Sequence, residues 1–278
     1  MTSLVSSHCG DKSALTLQPC SSRALDAVRF IARLEWLQAK RQRLLLISFG
    51  VLLLLGVCVC LSFSASAGLL AQPMAALRSL TALWSLTLPL LALMAGFKGI
   101  VAEREGATLG LLLTQPVSAG QLLLGKWLGG AAPLLLAQTL AALGSALLYL
   151  LVASSAPLEY FAGLLRLWLG GAALTLGCHL SALVVSAWCR GSQSALFLGL
   201  LWLGALLLLW DLLLLALLLL GAIPGGLLEV LVLLNPVTVL RGFVLQAELP
   251  LWALGQLLVP VLLFRFGQLG IVRGCNEL

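Results

Sequence analysis

Long apolar stretches recur along this chain, and they constrain its fold more than any other feature. A run of about 20 apolar residues can cross a bilayer as a helix, which satisfies its backbone hydrogen bonds within one segment. Hydrophobic residues make up 61% of the chain and charged residues only 9%, so a soluble globule of this composition could not cover itself with polar surface. The sequence therefore predicts an all-α, polytopic membrane protein.

Six transmembrane helices are predicted, each an apolar run bounded by polar or turn-forming residues. Their ranges are 44–65, 79–99, 127–153, 163–187, 195–221 and 250–271. Pro73 is predicted to mark the first outer loop, and the segment 154–157 the second. The six spans form one predicted membrane domain over residues 44–271.

Two segments precede the first span: a polar tail over residues 1–21 and a basic amphipathic helix over residues 22–43. Arg29 and Arg33 share the polar face of this helix, and Glu35 intrudes on its apolar face. The apolar face carries Ala24, Val28, Ile31 and Leu34. This pattern is typical of a helix in the membrane interface, with basic groups toward lipid headgroups and apolar groups toward acyl chains. A solvated charged helix is the alternative.

The distribution of basic residues predicts the orientation, because cytosolic loops carry an excess of Lys and Arg. A cytosolic N-terminus places thirteen of the sixteen Lys and Arg residues inside and leaves Arg78, Arg166 and Arg241 outside. Both termini are then cytosolic. The seven cysteines lack the paired spacing of a disulfide framework.

The outer connection 222–249 is the longest, and it is too apolar for a free loop. Turn residues break it at 224–226 and at 235–236, which predicts short helices that re-enter the membrane where protein buries the backbone. Asp211 lies in the fifth span, where a charge is costly. We expect it to pair with Arg166 or Arg241, to lie near the outer interface, or to be protonated. The candidate outer gate or polar network comprises Asp211, Glu229, Asn235, Pro236 and Arg241.

The cytosolic segment 100–126 joins the second and third spans and contains a charged helix end, a short apolar helix and a new helix start. Ser118 and Gln121 form a predicted capping box at that start. Leu109 and Leu112 give the short helix an apolar face that nothing in the segment covers. Such a face indicates either a partner surface or a contact with the bilayer interface.

This segment resembles the cytosolic coupling segment of ABC type-2 permeases. The matching elements occur in order at Glu103–Gly106, Thr108–Leu113, Gln115–Ser118 and Leu123–Lys126. Similar stretches outside the segment are Ile31–Glu35 with Arg41 and Arg43, then Leu88–Leu93 and Leu234–Val237. Within the family, the likeness is closest to the permease of the accessory ABC system that matures the copper sites of nitrous oxide reductase.

The resemblance implies a homodimer in a bacterial inner membrane with two cytosolic ATPase subunits, and contact with membrane lipid but not with nucleic acid. It assigns the ATPase contact to Glu103, Arg104, Glu105, Thr108, Leu109 and Leu112. ATP and Mg²⁺ would bind in the ATPase chains, so this chain is expected to carry no cofactor and no enzymatic site. For the nitrous oxide reductase branch, a periplasmic β-helical protein is a further implied partner. A generic ABC exporter remains an alternative.

Other interpretations rest on weaker patterns. The stretch 120–126 matches the first part of a P-loop, but Trp127 follows where the Mg²⁺-binding Ser or Thr would stand. Cys58 and Cys60 point about 200° apart on a helix, so no metal site is predicted within one chain, although a metal path between two copies stays open.

Two other functions are alternatives. A stand-alone carrier would need several mid-span polar groups or paired broken helices. An intramembrane enzyme would need a nucleophile and a base on facing helices.

Overall fold

The computed structural model describes residues 20–65, 73–106, 108, 117–152, 158–220, 231, 235–246 and 255–276, and all regular structure in these ranges is helical. The helices are α1 Cys20–Arg41, α2 Leu44–Ala65, α3 Pro73–Gly96, α4 Val101–Glu105, α5 Ala119–Val152, α6 Leu158–Trp188, α7 Ser192–Gly204, α8 Trp210–Leu220, α9 Pro236–Gln246 and α10 Gly255–Asn276. A π-helical segment, Ala205–Leu209, joins α7 and α8 into one continuous helix.

Five helical segments in the described ranges are long and apolar enough to cross a membrane. They are Leu44–Ser62, Met74–Glu105, Ala119–Leu151, Leu158–Trp188 and Ser192–Leu220. They coincide with the first five predicted spans, so the all-α, multi-span architecture is confirmed. Helix α10 overlaps the sixth predicted span, but the count of six and the orientation stay predictions.

One predicted boundary differs from the structure. Pro73, predicted to mark an outer loop, is the first residue of α3, where a residue without an N–H leaves no donor unsatisfied. Helix α5 begins at Ala119, which is the new helix start predicted within the segment 100–126, ahead of the predicted span 127–153. The capping box is confirmed: Ser118 N donates to Gln121 Oε1 at 2.9 Å, and Gln121 N donates to Ser118 Oγ at 3.3 Å.

Helix α1 docks on α5 through Ile31, whereas Leu34 of the predicted apolar face stays exposed, and the place of α1 in the membrane interface stays a prediction. A Cβ at Gly125 would lie 2.8 Å from Cβ of Ile31, and one at Gly129 would lie 2.5 Å from the carbonyl oxygen of Ala32. These glycines therefore allow the two helices to approach closely. Helix α1 ends before Arg43, which has a left-handed φ of 55°. The exposed apolar residues of α1 are Leu25, Phe30, Leu34 and Leu37.

The centre of the bundle is the contact between α3 and α6, which run parallel. Leu77 packs at Gly163 near the start of both helices, and Gly96 lies beside Ala182 near their ends. Trp84 of α3 is fully buried in this core. The parallel packing places the ends of α3 and α6 side by side, where the chain enters α4.

One end of the bundle, here called the α4 end, collects α1, α4 and the C-terminal half of α10. Helix α1 packs on the early turns of α5. The indole N–H of Trp188, the last residue of α6, donates to the carbonyl oxygen of Phe266 in α10 at 3.1 Å. Backbone N–H groups of Ile100 and Val101 donate to Ser186 Oγ of α6 at 3.1 and 3.0 Å. The first and last described helices therefore approach the same end.

Candidate functional site

Helix α4 carries three consecutive charged residues, Glu103, Arg104 and Glu105. Consecutive residues on a helix point about 100° apart, so each of the three faces a different part of the bundle. Thr108 Oγ1 donates to the carbonyl oxygen of Glu103 at 3.2 Å, which continues the turn after the helix. The predicted contact residues Leu109 and Leu112 lie outside the described residues.

Arg104 and Glu105 hold the turn between α6 and α7. The Arg104 guanidinium donates to the carbonyl oxygens of Ala187, at 2.9 Å, and Cys189, which have no partner within α6. Glu105 Oε1 accepts from the backbone N of Ser192 at 2.7 Å, and its other oxygen accepts from the Ser192 hydroxyl. A cation therefore lies at a helix C-terminus and an anion at a helix N-terminus, and both placements are favoured by the helix dipole.

Glu103 belongs to an ion cluster centred on Lys126 of α5. The Lys126 ammonium lies 2.6 Å from Glu103 Oε1 and also contacts Glu35 Oε1 of α1. Its side chain is only 5% exposed, whereas the two carboxylates are 23% and 19% exposed. Removing one partner of a buried pair typically costs about 3–5 kcal/mol, so this cluster is a strong local constraint.

Lys126 was not among the predicted site residues, although two signals pointed to it. It closes the motif Leu123–Lys126, and the intrusion of Glu35 on an apolar helix face required a buried cation elsewhere. Of the predicted interfacial-helix residues, Arg29 and Arg33 are exposed, and Arg29 lies 4.0 Å from Asp26. The stretch that resembles part of a P-loop is helical in α5, and its lysine is held by carboxylates.

A second polar network joins α8 and α9. Arg241 Nη1 of α9 lies 3.0 Å from Asp211 Oδ2 of α8, so Arg241 is the partner of Asp211 rather than Arg166. Thr238 Oγ1 donates to Asp211 Oδ1 at 3.4 Å, and Arg241 Nε donates to Ser85 Oγ of α3 at 3.2 Å. The two charged side chains remain 38% and 37% exposed. The ion pair thus ties α8 to α9 and, through Ser85, to the central helix α3.

The π-helical segment is held to the start of α9 by Asn235. Its Nδ2 donates to the carbonyl oxygen of Leu206 at 2.9 Å, while its Oδ1 accepts from the backbone N of Val237 at 2.9 Å. Trp210 Nε1 donates to the carbonyl oxygen of Leu231 at 3.2 Å. A π segment displaces backbone carbonyls from their regular partners and is frequent at functional sites. The sequence signalled the Asn235-Pro236 turn, but not the π segment that it contacts.

Helix α9 packs against α6 well inside the bundle. A Cβ at Gly170 would lie 2.6 Å from Leu240 Cδ1 and 3.2 Å from Phe243 Cδ1. Gly170 is about 18 Å along α6 from its first residue, Leu158, at the rise of an α-helix. This position agrees with a segment that folds back into the bundle, while its depth in a membrane stays a prediction. Of the predicted network, Glu229 lies outside the described residues, as do Pro224, Gly225 and Gly226.

The family model described as ABC-2 family transporter protein matches residues 29–249, a range that contains both networks. This chain belongs to the ABC-2 transporter family. It is 40% identical over 221 residues to the "Probable ABC transporter permease protein NosY" of Pseudomonas aeruginosa, covering 76% of this chain and 78% of that protein. A relative of the same name from Stutzerimonas stutzeri is 40% identical over 101 residues, 36% of this chain and 37% of that protein. The resemblance inferred from the coupling-segment motifs is confirmed.

Membership in the ABC-2 family places the α4 contacts in a permease subunit, and such subunits are not themselves ATPases. The side chains of Cys58 and Cys60 lie on different faces of α2, as the helical geometry requires, since Cys58 is exposed and Cys60 is buried. His179 is buried, with its Nδ1 3.3 Å from the carbonyl oxygen of Ala92. Within the described ranges, no group of three His, Cys, Asp or Glu side chains could hold a metal ion.

Proposed function

We propose that this ABC-2 permease couples ATP hydrolysis by two separate cytosolic ATPase subunits to movement at the end of the bundle opposite α4, as a homodimer. The observation that carries the proposal is the attachment of α4 by three consecutive charged side chains. Glu103 holds it to α5, Arg104 to the end of α6 and Glu105 to the start of α7. A force that moves α4 would therefore move the ends of three long helices together.

The continuous helix from α7 to α8 offers a route for that movement. Glu105 contacts Ser192 at its first turn, and Asp211 lies about 28 Å further along the same helix. Asp211 is bound to Arg241 of α9, and the intervening π segment is bound to Asn235. Displacement at the cytosolic side would thus move α9, which is the proposed gate or docking surface. A coupling route of this kind needs an energetic test, because contiguity alone does not establish it.

The cellular setting that we propose is a bacterial inner membrane with both termini in the cytosol. The excess of Lys and Arg in the segments assigned to that side supports it. The convergence of α1, α4 and α10 at one end of the bundle agrees with this topology. The exposed apolar residues of α1 would contact lipid at the cytosolic interface.

The more specific role that we propose is maturation of the copper sites of nitrous oxide reductase. The relatives named NosY and the motif resemblance to that branch support it. In this role the complex would act on a periplasmic β-helical partner, either by export of copper or a sulfur species or by mechanical work. Either form of output requires the α9 side of the bundle to respond to nucleotide at the α4 side.

Coexpression with candidate ABC ATPases from the same host tests the permease assignment. We expect the tagged chain to copurify with equimolar ATPase and the complex to hydrolyse MgATP, because α4 presents a rigid anchored helix to a partner. A Walker-lysine variant of the ATPase serves as the control: it should bind but not hydrolyse. An ATPase-free chain that moves solute without ATP would instead indicate a stand-alone carrier.

Deletion of the chain in its own host tests the nitrous oxide reductase role. We expect reductase purified from the deletion strain to contain less copper and to have lost its copper absorption bands, and a plasmid copy to restore both. Reductase with a full copper complement in the deletion strain would exclude this branch. It would leave the permease assignment untouched, and the generic exporter would then be the favoured function.

A further inference from the structure

We propose that Lys126 is a positioning residue that makes the interfacial helix α1 move together with α4 when the ATPase acts on α4. The proposal rests on the ATPase coupling proposed above and adds a second route beside the α7–α8 helix. Lys126 is the cation on which a carboxylate of α1, Glu35, and a carboxylate of α4, Glu103, converge. The two acids come from elements 68 positions apart in the chain, and they meet on one ammonium group.

Burial of the ammonium makes this junction rigid. The Lys126 side chain is 5% exposed, so its ammonium depends on the two carboxylates rather than on bulk water for its polar contacts. The second oxygen of Glu103 is buried without a hydrogen-bond partner among the described residues, so Lys126 is the described group that holds this carboxylate. Without the ammonium, the two carboxylates would repel each other. A displacement of α4 that breaks the cluster would leave charges buried and unpaired, whereas a displacement that carries α1 along would not.

The packing of α1 fits a helix that moves as a unit. Its buried side contacts α5 at Gly125 and Gly129, on the turns that flank Lys126. Its other side exposes Phe30, Leu34 and Leu37, which no described residue covers and which a fluid lipid surface would accommodate during a shift. Helix α1 is therefore attached to α4 by a rigid ion cluster and bounded elsewhere by a surface that permits sliding.

The Glu35→Gln variant separates this proposal from a merely structural role. It leaves Lys126 paired with Glu103, so no buried charge is left unpaired and the attachment of α4 to α5 is kept. Asp26→Asn is the matched control, because it also removes a carboxylate from α1 but at a position whose side chain is 72% exposed. Both are made in the full complex with its ATPase, in a background whose other reactive cysteines are replaced by serine.

The reporter is a Gln38→Cys substitution at an exposed position of α1, labelled with a thiol reagent in nucleotide-free and nucleotide-trapped complexes. We expect the labelling rate to differ between the two states in the parent and in Asp26→Asn. In Glu35→Gln we expect that difference to be lost, while ATPase copurification and MgATP hydrolysis persist. The copurification arm tests the proposed function, and the labelling arm tests the role of Lys126.

An undiminished nucleotide-dependent difference in Glu35→Gln would overturn the proposal, because α1 would then follow α5 by packing alone. No difference in the parent complex would overturn it as well. If Glu35→Gln does not assemble with the ATPase, Glu35→Asp is measured in the same way, since it keeps the charge but shortens the reach to Lys126. A reduced difference in that variant supports the proposal, and an unreduced one contradicts it.

Discussion

Replacing Glu105 by Arg together with Leu109 by Asp is expected to abolish copurification of the ATPase while the permease still inserts into the membrane. The Glu105 carboxylate lies at the N-terminus of α7, where it accepts two hydrogen bonds from Ser192. A guanidinium at this position would face the positive end of the helix dipole. The Asp at 109 would charge the apolar face that the sequence predicts for the partner. Pull-down of ATPase by tagged permease from solubilised membranes measures the loss.

The matched control for that double variant is Glu159→Arg. Glu159 is an exposed acid in the first turn of α6, at the end of the bundle far from α4. It should leave copurification unchanged, which would show that charge reversal by itself does not disturb assembly. Wild-type recovery of ATPase with the Glu105 and Leu109 double variant would refute the assigned partner surface.

Arg241→Glu is expected to abolish the response of α9 to nucleotide while ATPase assembly is retained. The change replaces the Asp211–Arg241 pair with two carboxylates, which repel each other, although solvent screens part of this repulsion because both positions are more than a third exposed. The charged link between α8 and α9 would then be repulsive, so movement of Asp211 would no longer be transmitted to Arg241. The proposed ATPase contacts on α4 lie about 28 Å from Asp211 along the α7–α8 helix, so copurification should not change.

A cysteine at Gly242 is the reporter for this experiment, because a Cβ there meets nothing within 4 Å. Val237, at the start of α9, is 1% exposed and would be shielded from a thiol reagent. The swapped pair, Asp211→Arg with Arg241→Glu, should restore the nucleotide-dependent labelling. Arg166→Glu is the matched control and should leave it intact. Equal labelling in both nucleotide states of the parent complex would make α9 a static lid.

Several features could be predicted from residues that lie close together in the sequence. The first span, 44–65, coincides with α2 because an uninterrupted apolar run has few alternatives in lipid. The capping box at Ser118 and Gln121 was predictable because its hydrogen bonds join residues three apart. The helix start at Pro73 was predicted less well, since apolarity marks the part of a helix that lies in the membrane and not where its backbone hydrogen bonds end.

For the candidate sites, the sequence likewise indicated which residues matter but not which partners they bind. Glu103, Arg104 and Glu105 stood out by their motif, yet nothing in the motif specified that they bind α5, the end of α6 and the start of α7. Asp211 needs a cationic partner within an apolar span. The sequence contains two candidates, Arg166 and Arg241, and gives no basis for choosing between them. The choice of Arg241 follows from the way α9 folds back against α3 and α6.

By itself, then, the sequence determined that this chain crosses a membrane repeatedly as helices, carries motifs that resemble a coupling segment and belongs with ABC-2 permeases. Those properties depend on composition, on residues a few positions apart and on motif order. Only the tertiary structure decided that Lys126 joins Glu35 to Glu103 and that a π segment is held by Asn235. Such contacts join residues tens of positions apart. Their geometry depends on how whole helices pack, because close approach at positions such as Gly125 and Gly129 brings these polar groups together.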